Sequence, residues 1–247
     1  MPGHDELWLQ HPVPRPDARQ RLVCFPHAGG SAVIFRDWGN HLTDTAVYAV
    51  RYPGRAERID EPAPDDLPAL GRRIARAVAQ LGDLPLALFG HSMGAGVALE
   101  TARSLESLGV PVSHLFASGS RNAPLPAPPP PEADDAHDDP ATVARLISLG
   151  GTDPQLAADP LFQELVLPYI RSDGRMFHAY MRSFSPEPRL RCPVTTIVGD
   201  ADADADERPW PELTAGPFRE VVVPGDHFYL TGRPPFALLE PARKETP

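Results

Sequence analysis

Six short apolar runs constrain what this chain can fold into more than any other feature. They are Leu22–Phe25, Ala46–Val50, Leu86–Phe89, His114–Ser118, Val194–Val198 and Glu220–Val223. Each is nearly continuous in Val, Leu, Ile, Phe or Ala and ends at glycine, proline or a polar turn. A strand with one wet face alternates apolar and polar residues, whereas a strand covered on both faces has no need to. The runs therefore predict strands of a mostly parallel central sheet flanked by helices. The intervening stretches supply those helices. Leu67, Leu70, Ile74, Val78 and Leu81 step by three or four, with Arg72, Arg73 and Arg76 off the stripe. Val97, Ala98, Ala102, Leu105 and Leu108 repeat the pattern after the third run. Strand and helix in alternation imply an α/β fold.

The alternation stops in the middle of the chain. Between Ala123 and Pro131, six of nine residues are proline, and Glu132, Asp134, Asp135, Asp138 and Asp139 follow. Proline at that density favours an extended run and forbids helix or sheet, so this stretch reads as a solvated strap. Helical stripes resume at Val143–Leu149 and Leu161–Ile170, with Pro168 near the end of the second, and a third runs from Met176 to Phe184. No strand signal separates Ser118 from Val194. Residues 1–247 are accordingly read as one α/β domain with an inserted helical cap, or lid, at about 121–187.

Composition narrows the class of function. With 23 basic and 33 acidic side chains the net charge is −10, which repels phosphate backbones and argues against a nucleic-acid partner. No apolar run reaches the roughly 18 residues needed to span a bilayer, so no membrane role is expected. The first twenty residues lack the apolar core of a secretory signal, and Cys24 and Cys192 are too few for a disulfide framework. A cytoplasmic chain with buried, reduced thiols is the expectation.

Gly90-His91-Ser92-Met93-Gly94 follows the third run and opens a helix. G-x-S-x-G between strand and helix is the nucleophile elbow, in which a sharp turn lifts a serine hydroxyl above the sheet edge. A serine alcohol needs a positioned base. Of nine histidines, His4, His11 and His137 lie in polar or proline-rich stretches and are expected at the surface. His114 opens a strand, and the elbow should turn His91 away from Ser92. His227, in the loop after the last run, stands where such hydrolases place the base. The orienting acid should follow Val194–Val198, where Gly199-Asp200-Ala201-Asp202-Ala203-Asp204-Ala205-Asp206 offers several carboxylates. The α/β-hydrolase pattern, acid three residues after the glycine, selects Asp202, with Asp200 the alternative and Asp204 behind it. The order Ser92, Asp202, His227 is that of α/β-hydrolases. A calcium loop is a poor reading of the acidic run, because Ala205 and Pro211 replace the glycine and glutamate it needs. The loop Phe25–Ser31, after the first run, is placed to carry an oxyanion donor, and the Ala28 and Met93 amides are the candidates.

With these segments in view the chain resembles the type II thioesterases, the discrete editing hydrolases of polyketide synthases and nonribosomal peptide synthetases. Cys24–Ser31, Tyr52-Pro53-Gly54-Arg55, Gly90–Ala95 and Gly225-Asp226-His227-Phe228 carry the likeness, joined by Leu149-Gly150-Gly151-Thr152 and Leu167–Asp173. It departs from that family at Asp226, where a glycine is usual, and in the repeated Asp-Ala run. The resemblance implies hydrolysis of acyl thioesters held on the phosphopantetheine arm of an acyl or peptidyl carrier protein, with no metal or organic cofactor. Leu161, Phe162, Leu165, Val166 and Phe177 would line an acyl pocket under the cap. Arg51, Arg55 and Arg58 would offer a basic patch to an acidic carrier. The triad leaves the acyl acceptor open, so an acyltransferase, a carboxylesterase or a non-catalytic module on this scaffold remain alternatives.

Overall fold

The computed structural model describes residues 7–125, 143, 144, 147 and 153–241. Its centre is a seven-stranded sheet in the order β1-β3-β2-β4-β5-β7-β9. The strands are β1 (Leu9–Gln10), β2 (Gln20–Phe25), β3 (Thr45–Val50), β4 (Leu86–His91), β5 (His114–Ser118), β7 (Val194–Gly199) and β9 (Phe218–Val223). All pairs are parallel except β1 against β3. Helices α1 (Trp38–His41), α2 (Leu67–Val78) and α3 (Met93–Ser107) lie between the early strands. Helices α4 (Pro154–Ala157), α5 (Pro160–Leu165) and α6 (Leu167–Arg182) precede β7, and α7 (Tyr229–Gly232) and α8 (Phe236–Leu239) follow β9.

The continuous apolar character of the strands has a direct cause. Val23 and Phe25 of β2 and Leu88 of β4 join a core built with Leu70 and Ile74 of α2 and Val97 of α3. Their neighbours Leu22, Cys24, Ala87 and Phe89 turn the other way, onto Phe35, Trp38 and Leu230. Period-two alternation thus feeds two cores, so both faces of these strands carry apolar side chains. Each such large side chain, withdrawn from water, contributes about 1.5–3 kcal/mol. Helix α2 starts where Asp66 accepts the Ala69 N–H at 2.8 Å, and a 3-10 turn, Ala79–Leu81, finishes the stripe.

Several features differ from the sequence reading, among them the edge strand β1, which none of the six runs includes. Pro168 does not close a helix but opens one. Helix α5 stops at Leu165, and Pro168 sits in the first turn of α6, where its missing N–H has no intrahelical partner to lose. Helix α6 then runs through to Arg182, joining two stretches expected to be separate. Two further strands, β6 (Ser120–Asn122) and β8 (Asp206–Arg208), pair in parallel as a separate small sheet. Their residues are polar and their length is three, so neither carries a hydrophobic signature. The acidic run 132–139, the 149–152 segment, most of the proline run, His4 and His137 lie outside the described residues. Among the described residues no helix is long and apolar enough to cross a membrane.

Candidate active site

Strand order sets the position of the site. After β2 the chain adds β3 on one side and then returns to place β4 on the other. The loops leaving β2 and β4 therefore diverge from adjacent strand ends, with Phe25 in register with Gly90. A crevice at such a switch point is where open α/β sheets bind ligands. Ser92 stands there as the residue preceding α3, at φ 56° and ψ −124°. A non-glycine residue in this region stores strain of about 1–3 kcal/mol, and it persists only where its surroundings over-determine it. The Ser92 N–H donates to the Ser118 carbonyl and the Ala95 N–H to the Ser92 carbonyl, each at 2.8 Å. Gly94 lets the next loop approach: a Cβ there would strike the Phe25 carbonyl and lie 2.6 Å from that of Pro26. This contact brings the start of the loop that follows β2, at Phe25 and Pro26, against the first turn of α3.

The loops leaving β7 and β9 meet on the other flank. Asp202 is 3% exposed and His227 5%. The His227 Nδ1 lies 3.0 and 3.1 Å from the two oxygens of the Asp202 carboxylate. Asp202 Oδ1 also accepts the Asp204 N–H at 3.0 Å. Asp200 is turned elsewhere, accepting the Gly225 N–H at 2.9 Å on the exposed side of the same loop. Asp226 accepts the Phe228 N–H at 2.9 Å and so turns the chain through His227.

His91 is fully buried, and its ring centroid lies 5.0 Å from that of His227 and 5.9 Å from that of His27. Its Nδ1 is 2.9 Å from the Ser118 hydroxyl, which is 2.6 Å from the Tyr229 hydroxyl. Nothing in the local sequence of Ser118 or Tyr229 marks this chain of groups. Burial, then the proximity of His227 and Arg55, pulls His27 down to about 4. Burial, reinforced by His227 and His27, lowers His91 well below the usual imidazole range. Both neighbours of His227 therefore stay neutral at pH 7. The thiols take no part: burial raises Cys24 well above its usual value and Cys192 to about 12, and both are free. Among the described residues no group of His, Cys, Asp and Glu side chains is arranged to hold a metal ion.

Several surface expectations are corrected. Arg55 and Arg58 do not form a basic patch, because each is only 2% exposed. Arg55 pairs with Asp173, and Arg58 lies over Trp8 and pairs with Glu61. Arg51 pairs with Glu57. Of the apolar residues proposed to line the cap, Phe162 is buried, whereas Leu161 and Leu165 are exposed at 64% and 53%. His11 is half-buried, not free at the surface, stacked on Tyr48 with Nδ1 2.7 Å from the Val47 carbonyl.

A serine raised on a strained elbow at the switch point of a largely parallel sheet defines a serine hydrolase of the α/β-hydrolase fold. The profile of the Thioesterase domain family matches residues 20–242, and the chain belongs to that family. It is 38% identical over 232 residues to the thioesterase PikA5 of Streptomyces venezuelae, covering 91% of this chain and 80% of that protein. Its fold matches the type II thioesterase BorB of the borrelidin biosynthetic cluster with a TM-score of 0.78 and 35% identity, over 94% and 96% of the two chains. It also matches YbtT, a type II thioesterase of the yersiniabactin NRPS/PKS pathway, with a TM-score of 0.79 and 32% identity over 91% and 92%. The chain is thus an enzyme of the type II thioesterase group, a serine hydrolase of thioester bonds.

Proposed function

We propose that the chain releases acyl groups from the phosphopantetheine arm of an acyl or peptidyl carrier protein, in the cytoplasm, through Ser92, His227 and Asp202. The observation that carries this reading is the buried Asp202–His227 pair, its imidazole centroid 5.0 Å from that of elbow residue His91, in a thioesterase-family chain. Ser92 attacks the thioester carbonyl while His227 takes its proton through Nε2. Asp202 holds Nδ1–H, and with it the tautomer that leaves Nε2 free to accept. The Ala28 and Met93 amides receive the oxyanion; their support is the close approach of the two loops at Gly94. The leaving thiol, with a pKa of about 8.5, departs more readily than an amine and demands less of the protonated base. Water, deprotonated by His227, then frees the acid and restores Ser92. Residues 1–247 act in this reading as one hydrolase domain, with the segment at about 121–187 as its lid, and α4 to α6 are the helices that support it.

The test combines labelling and turnover. A serine-directed fluorophosphonate should label the wild type and not Ser92→Ala, and the same variant should lose hydrolysis of acyl-pantetheine. Undiminished hydrolysis by Ser92→Ala would refute the assignment. Simple esters and amine acceptors, offered beside acyl-pantetheine, separate this reading from an esterase or acyltransferase: turnover confined to those alternatives would overturn it.

A further inference from the structure

One side chain of helix α6 reaches into the loop that follows β2. Asp173 is fully buried and faces Arg55 across a bidentate pair, Oδ2 to Nη1 at 2.5 Å and Oδ1 to Nη2 at 2.6 Å. The same Oδ2 accepts the Gly29 N–H at 2.8 Å, and Arg55 Nη1 also donates to the Gly30 carbonyl at 3.3 Å. Tyr52, three residues before Arg55, donates its hydroxyl to the Pro26 carbonyl at 3.1 Å. The loop is thereby held at residues 26, 29 and 30 by groups drawn from the Tyr52–Arg55 segment and from α6.

The held segment is a tight turn. The Gly30 N–H returns to the His27 carbonyl at 2.9 Å, and Gly29 stands at φ +76°. Positive φ at the third residue is the mark of a type II turn, whose central peptide joins Ala28 to Gly29. That central peptide carries the N–H bound by Asp173, so the carboxylate fixes the plane on which the turn depends. Ile170, one turn before Asp173 on α6, lies so close that a Cβ on Gly29 would be 2.5 Å from its Cγ1. The Arg55 guanidinium also stacks between Tyr52 and Tyr169, 5.2 and 5.0 Å from their ring centroids. Burying two charges costs more than burying apolar side chains of the same volume, so stability alone does not account for a pair here. What a planar fork on a carboxylate supplies is orientation.

We propose that Asp173 and Arg55 are positioning residues for the oxyanion loop, holding the Ala28 N–H in line and making the oxyanion site depend on the docking of helix α6. The inference rests on the oxyanion role given to Ala28 above, and the controls separate the two. Full-length Asp173→Asn and Arg55→Lys are assayed for kcat and KM on acyl-pantetheine, across pH, beside wild type and Ser92→Ala. Asp173→Asn keeps the size of the side chain and removes the charge; Arg55→Lys keeps the charge and removes the fork. A displacement of the loop by about 1 Å costs about 100-fold in kcat. Both variants should therefore lose about that much in kcat, with KM little changed and with the wild-type pH profile, since His227 and Asp202 are untouched. A folded variant with wild-type kcat, or one whose loss lies entirely in KM, overturns the proposal. If Asp173→Asn does not fold, Arg55→Lys decides by the same two outcomes. Should Ser92→Ala retain activity, the reading of the site itself fails, and the brace with it.

Discussion

Replacing Asp202 by Asn should lower kcat by about four orders of magnitude, or about 5.5 kcal/mol of transition-state stabilisation. The geometry gives the reason. Asp202 Oδ1 is engaged by the Asp204 N–H at 3.0 Å, so an amide at this position turns its oxygen toward that donor. Its NH2 then faces His227 Nδ1, at the site now occupied by an oxygen 3.0 Å away. A donor there requires Nδ1 to accept, which places the imidazole proton on Nε2 and leaves no lone pair for the Ser92 hydroxyl. The variant is close to isosteric and should melt cooperatively, so the defect is one of tautomer and not of folding. Asp200→Asn is the matched control. Its oxygen accepts one exposed N–H, from Gly225 at 2.9 Å, and the amide keeps an acceptor there, so the change should stay below about tenfold. Both variants are assayed by thiol release from acyl-pantetheine at saturating substrate. The reasoning is refuted if Asp202→Asn keeps activity within tenfold of wild type, or if Asp200→Asn is the dead enzyme.

Ser92→Gly should abolish turnover yet raise the melting temperature by a few degrees. Glycine occupies φ 56° without the strain of about 1–3 kcal/mol that serine stores there; a lower Tm by calorimetry would contradict this. Gly94→Ala should do the opposite, costing about 1–3 kcal/mol in urea unfolding, because its Cβ meets the backbone carbonyls of Phe25 and Pro26 and the loop must move. An unchanged unfolding midpoint would show that the loop is not held against the elbow. Acid should begin to weaken the fold at pH values above the range in which ordinary carboxylates titrate. His27, at about 4 when folded against an ordinary 6.5, binds fewer protons folded than unfolded, and His91 is displaced in the same direction. Their contribution is whole above pH 6.5 and is lost as pH falls from 6.5 toward 4, so the urea midpoint should decline across that window. A flat midpoint there would count against burial of the two rings as neutral groups.

The central strands were legible because each is defined by its own few residues. His114–Ser118 is read with the bounds it adopts, and Glu220–Val223 only loses its first two residues, Phe218 and Arg219. Where a strand is held by its partner and not by its own composition, as in Ser120–Asn122 against Asp206–Arg208, no run of residues announces it. The division of α5 from α6 failed for a related reason: Pro168 fits a first turn as well as it breaks a late one, and local pattern does not distinguish them. The candidate site was legible in its elbow and in the loop that bears His227, both tied to strand ends. The arginines were misread because charge near charge in sequence resembles a patch, while Arg55 and Arg58 bury into ion pairs and ring faces.

By itself the sequence determined the sheet, the helices against its two faces and the glycine-flanked serine, since each depends on hydrophobic period or backbone freedom within a few neighbouring residues. Only the tertiary structure decided which of three neighbouring carboxylates faces His227, and that Arg55 closes on Asp173, 118 residues away. Those outcomes depend on which groups packing brings across from one another once water is gone. An ion pair or a buried hydrogen bond has no period to show before the chain has folded.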